Sequence, residues 1–123
     1  MKKVNPSDMT TKDLVDRFAQ IGRAQDQALL GGQIAKFNRL FDQMAEISKE
    51  LKGRPGDERH ALMVLYDFPN MQVRLKAAIH TLAVAPIEAR GQLEAIVESK
   101  WFPQAGDAGM SLWNLDRGIF KPT

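Results

Sequence analysis

Few residues of this chain have the types and spacing that chemistry needs. The histidines are His60 and His80, with no His-x-x-His or Glu-x-x-His spacing to set two ligands on one helix face, and there is no cysteine. A metal site is therefore not expected. Asp13 with Asp16 and Glu94 with Glu98 stand three and four residues apart, each pair on one face of a helix. Helix surfaces commonly carry such pairs in water, so neither is assigned acid–base work. Gly31-Gly32-Gln33 precedes a helical pattern but lacks the spaced glycines, the lysine and the preceding strand of a phosphate loop, and is read as a turn. No catalytic, cofactor-binding or metal-ligating residue is assigned, and the chain is expected not to be an enzyme.

The side chains that remain suit binding. Trp101 with Phe102, and Trp113, are read first as core packing of the last helical hairpin, and otherwise as an exposed aromatic patch of the kind found at binding hot spots. Arg74 is read first as a structural tie, and otherwise as a guanidinium at a helix start able to hold an anion; with Lys76, Trp101 and Trp113 it makes up the candidate partner-binding set. His80 falls near the buried side of its helix and is read as a hydrogen-bonded core histidine.

These residues need helices to position them. Apolar residues recur near every 3.6 positions and no run of alternating β-branched residues suggests a strand, so the fold is expected to be all-α. Thr10, followed by Asp13, opens a first helix with Leu14, Val15, Phe18, Ile21 and Leu29 on its buried stripe, ended by Gly31-Gly32. A second helix carries Ile34, Phe37, Leu40, Phe41, Met44, Ile47 and Leu51, with Gly53 as its C-cap. Asp57 opens a third with Ala61, Leu62, Val64, Leu65 and Phe68.

Pro69 stops that helix, because it has no N–H and disfavours helical geometry at Phe68, and Asn70 is placed to cap the next. The fourth helix, from about Met71 to Val84, is apolar almost all round, leaving Gln72, Lys76 and Ala83 as its outward strip, so it is expected at the centre of the fold. Pro86 suits the first turn of a fifth helix bearing Ala89, Leu93, Ile96 and Val97. Residues 101–106 read as a break. Asp107 then caps a last helix with Met110, Leu112, Trp113 and Leu115. About six helices pair naturally into three stacked antiparallel hairpins in one domain spanning residues 1–123, with an irregular bundle as the competing packing.

Leu62, Leu65, Pro69, Asn70, Val73, Arg74, Ala77 and Ala78 together resemble the second half of a HEAT or armadillo-like repeat. Phe68 departs from that pattern, standing where such repeats commonly have aspartate, and so does His80, where a small residue is usual. The resemblance implies an α-α superhelix in which Arg74 ties one hairpin to the preceding one through Asp67 or nearby carbonyls. The whole chain is also similar to a family of short bacterial proteins of unknown function with this helical fold, above all in residues 69–78 and 101–118. That implies a bacterial protein and no reaction.

The 123 residues hold 17 Lys and Arg against 15 Asp and Glu, a net +2 spread among both signs, which gives little reason to invoke nucleic acid. The opening Met1-Lys2-Lys3-Val4 leads into polar residues rather than a signal-peptide core, and no window approaches the length of a spanning helix. With no cysteine, a reducing compartment, the cytoplasm, is expected. The function expected first is a small helical module that binds a protein partner. Behind it stands weak nucleic-acid binding through Lys36, Arg39, Lys52, Arg54, Arg59 and Lys76, and one specific form of the first is an immunity-type inhibitor of a bacterial toxin.

Overall fold

The computed structural model describes residues 5–123, so the start Met1–Val4, whose lysines entered the signal-peptide argument, lies outside the described residues. Among the described residues all regular secondary structure is helical. Five α-helices run Thr11–Leu30 (α1), Ile34–Gly53 (α2), Met71–Thr81 (α3), Pro86–Ser99 (α4) and Gln104–Asp116 (α5), with 3-10 segments at Pro6–Asp8 and Glu58–Asp67. Helical structure thus occupies all six expected places, the third as a 3-10 run rather than an α-helix. The chain divides into two compact units, Met1–Ala61 and Leu62–Thr123.

In the first unit Thr10 caps α1, its hydroxyl accepting from the Asp13 N–H at 3.1 Å. Gly31 ends the helix and Gly32 turns the chain at φ +66°, a conformation that costs glycine nothing. The three-residue connection folds α2 back along α1. Leu14, Val15, Phe18, Ile21 and Ala28 of α1 are buried, as are Met44, Ile47 and Leu51 of α2. Gln25 is buried with them and places its amide 3.8 Å from the Met44 sulfur.

Beyond α2 the chain is held by Arg54 and by the Thr11 hydroxyl, which donates to the Glu58 carboxylate. Arg54, which takes the cap position expected of Gly53, bonds Glu50 at 2.9 Å and the Thr11 hydroxyl at 3.3 Å, and donates to the carbonyls of Pro6 and Met9. It ties the residues before α1 to the end of α2. Asp57 then sits at φ +53° and receives Arg59 through both carboxylate oxygens, at 2.9 and 2.7 Å. The guanidinium holds the Asp57 carboxyl below the usual aspartate range.

In the second unit Asn70 caps α3 as the sequence predicts, accepting from the Val73 N–H at 3.1 Å. Asn70→Ala should cost about 1 kcal/mol and leave helix content unchanged, because one backbone donor loses its acceptor. A thermal melt that does not move would remove this cap from the account. A core of Leu75, Ala78, Leu82, Ala89, Leu93, Ile96 and Ala108 joins α3, α4 and α5, with Tyr66, Met71, Ile79, Leu112 and Leu115 packed around it. The Tyr66 hydroxyl meets that of Thr81 at 2.6 Å, and the Gln92 amide donates to the Tyr66 carbonyl at 2.8 Å. Across the outside of α4 and α5, Arg90 grips Asp116 with two bonds of 2.7 and 3.0 Å.

Gln72 and residues 101–106 depart from the sequence expectation. Gln72, placed on the outward strip of α3, is 1% exposed, and its side-chain oxygen accepts from the Gln104 amide at 3.0 Å. A polar side chain tolerates burial when another supplies its bond, and this partner lies on a different helix. Gln72→Ala should therefore cost about 1–3 kcal/mol, since it strips the acceptor from a buried amide. A denaturation midpoint equal to the parent's would show that water replaces the bond at no expense. The break expected over residues 101–106 closes by Pro103, since the Ala105 and Asp107 N–H groups bond the Trp101 and Pro103 carbonyls, so α5 starts at Gln104 and Asp107 lies in its first turn.

Candidate functional site

Each histidine is placed by its own unit. His60 sets a ring nitrogen 3.2 Å from the Asp57 carbonyl, and His80 is half-buried on α3. Among the described residues no group of three or more His, Asp or Glu is placed to hold a metal ion. An open cleft of about 380 Å³ in the first unit is lined by Asn5, Pro6, Glu46, Lys49, Glu50 and Gly53. Its carboxylates stand beside Lys49, and Glu50 is already bonded to Arg54. The cleft brings no nucleophile and base together.

Arg74 is engaged within its own hairpin rather than with a preceding one. Its guanidinium donates to the Phe68 carbonyl at 2.6 Å and to that of Asp67 at 3.3 Å, joining α3 to the end of the 3-10 segment. Lys76 is not an outward residue. Burial pushes its pKa below the ordinary lysine value, and the Asp107 carboxylate opposes that shift. Two of the basic residues considered for nucleic acid, Arg54 and Arg59, are likewise spent on internal bonds. Lys36 and Lys52 are exposed at opposite ends of α2, about 24 Å apart at 1.5 Å per residue, and do not form one patch.

The aromatic residues are where the sequence reading fell short. Trp101, Phe102 and Trp113, read first as core, are 63%, 69% and 48% exposed. The inward side of α5 is filled instead by Gln104, Ala105 and Ala108, backed by Leu112 and Leu115. Trp113 lies away from those positions, and Met110, also expected in the buried stripe, is exposed beside it. With Gly109 these two line an open, mostly apolar hollow of about 260 Å³.

The surface continues on both sides of the hollow. A Cβ built on Gly109 would lie 3.9 Å from a methyl of exposed Val97 on α4, and one on Gly106 would lie 3.7 Å from the Phe102 ring. One turn after Trp113, the Arg117 guanidinium lies over the indole at 4.3 Å from its centroid, a cation–π contact. Phe102, Gly106, Met110, Trp113 and Arg117 thus form an uncovered stripe along α5.

Sequence reasoning missed the role of Gly106 and Gly109, taking the first for part of a break. The available signal was their spacing from Met110 and Trp113, which places small and large residues together on one face of a continuous helix. A second uncovered stretch lies in the first unit, where Leu30, Ile34 and Phe41 are exposed. The stripe expected along all of α2 is buried only from Met44 onward.

Three comparisons bear on these features. Residues 12–116 match the family model described as a domain of unknown function, DUF2019. No curated protein is significantly similar to the chain. Among solved structures, the chain is similar to the crystal structure of the protein RPA1889 from Rhodopseudomonas palustris CGA009, with 64% identity and a TM-score of 0.94 over 98% of this chain and 100% of that one.

Proposed function

We propose that this chain, which belongs to the DUF2019 family of domains of unknown function, is a small helical protein-binding module that uses the exposed face of α5. One observation carries the reading. Met110 and Trp113 stand exposed and, with Gly109, line an open apolar hollow, although their helix has buried residues on its inner side. Soluble domains keep such aromatic and methionine clusters where they meet other proteins, because the desolvation of a few large side chains supplies most of the binding energy. Arg117, held over Trp113, adds a positioned cation at the rim.

A non-catalytic role is part of the same proposal. Each group whose acidity is shifted has a structural cause close by: Arg59 for Asp57, burial for Tyr66 and Lys76, and the Arg90–Asp116 pair for its own members. The HEAT or armadillo-like reading belongs here as well, supported by the Pro69–Asn70 corner and the Asn70 cap. The cytoplasmic setting rests on the cysteine-free composition.

Titrating labelled single- and double-stranded oligonucleotides at two salt concentrations tests this reading against nucleic-acid binding. The module should bind them only weakly and without sequence preference, with Kd of roughly 10⁻⁴ to 10⁻⁶ M at physiological salt. Sequence-dependent submicromolar binding at that salt would overturn the proposal.

A further inference from the structure

The uncovered stripe of α5 has a pattern that fits itself. Gly106, Met110, Trp113 and Arg117 follow one another at spacings of four, three and four, the repeat of a coiled-coil seam, and they point away from the buried Ala105 and Ala108. Two such helices laid antiparallel about a twofold axis between Ser111 and Leu112 bring Met110 opposite Trp113 in both directions, and Gly106 opposite Arg117 in both directions. Each layer joins a small or flexible residue to a large one. We propose that a second copy of this chain is the partner that covers α5, through an antiparallel, twofold α5–α5 contact. This rests on reading the α5 face as a protein-binding surface, and names its occupant.

The two glycines give independent support. Both lie in a helix, where glycine is a poorer choice than alanine. Yet a Cβ at Gly106 would make only ordinary contacts of 3.7 and 3.8 Å with the Phe102 ring, and one at Gly109 only a 3.9 Å contact with Val97. Packing inside the chain does not require either of them. In the twofold pairing, Arg117 of the second copy comes against Gly106 and the Phe102 ring beside it, and Met110 gives the facing indole a sulfur contact.

Charge agrees with this register. Asp107, on the flank of the seam, comes beside Arg117 and Asn114 of the second copy. Asp116, already gripped by Arg90, comes opposite Gly109. No two like charges face each other, as an isologous contact requires. A helix of 13 residues is about 20 Å long, and with Phe102 and Val97 at its edge it covers less than the ~800 Å² per partner of a standard interface. The dimer should therefore dissociate in the micromolar range.

Sedimentation velocity over loading concentrations from about 1 to about 200 µM brackets that range. The parent chain should shift from monomer to dimer across it. Met110→Glu and Gly106→Arg, both at exposed positions and each shown by circular dichroism to melt like the parent, should remain monomeric throughout. Ile34→Glu, on the uncovered stretch of α2, should dimerise as the parent does. A parent chain monomeric at the highest concentration would overturn the inference, as would a dimer that survives both α5 variants or is broken by Ile34→Glu alone. A monomeric parent that still holds another protein through α5 would end the self-pairing while leaving the protein-binding reading intact.

Discussion

Replacing Ala77 with aspartate should unfold the protein or come close to it. Ala77 is fully buried in α3, between Val73 and Thr81, which are fully buried too. The new carboxylate would have to be buried without a partner or force the helix out of place, at a cost of several kcal/mol against the roughly 5–15 kcal/mol that holds an ordinary domain together. Ala83, exposed in the turn after the same helix, provides the control. Ala83→Asp should fall within about 0.5 kcal/mol of the parent. Thermal melts of the two variants measure the difference, and an Ala77→Asp protein that melts within a degree or two of the parent would show α3 to be peripheral.

Phe18→Ala should be nearly as damaging to the first unit. Phe18 is the largest of the fully buried side chains and sits midway along α1, within the stripe of Leu14, Val15 and Ile21. Truncating it removes a ring from water-free packing and leaves a cavity that two long helices cannot close. The combined transfer and cavity cost is about 3–5 kcal/mol. Urea denaturation reads it as a lower midpoint at unchanged slope. Phe41→Ala, at a half-exposed position of α2, should lose well under half as much; equal losses would contradict the burial pattern on which the first unit is built.

Much of the fold can be read from local signals. Thr10, Asn70 and Pro86 mark helix starts through their own backbone chemistry, and the structure places a helix after each. Arg74 reaches carbonyls six and seven residues back, so short-range sequence contains the contact. Glu58–Asp67 was harder, because over ten residues a period of 3.0 and one of 3.6 place nearly the same side chains inward. The burial of Gln72 was not legible at all, since its partner Gln104 lies 32 residues away and no local pattern announces the pair.

The candidate surface was half legible. Trp101 and Trp113 drew attention as residues of a binding type, but the period of the last helix assigned Trp113 and Met110 to its core. The inner side of α5 is supplied by smaller residues, Ala105 and Ala108, that contribute little to a hydrophobic pattern. Large apolar residues dominate such a pattern whether they face inward or outward. Along α2 the same bias extended a buried stripe over Ile34 and Phe41, which are exposed.

The outer face of α5 is the surface proposed to bind protein. Affinity capture on immobilised parent chain, run in parallel with Met110→Glu and Trp113→Ala and washed at physiological and at several-fold higher salt, tests it most directly. A discrete protein, a second copy of the chain or another, should stay on the parent through the salt wash and be lost from both variants, because apolar contacts of this kind are little screened. Retention of the same proteins by parent and variants alike, or of nucleic acid released by salt in place of protein, would contradict the proposal.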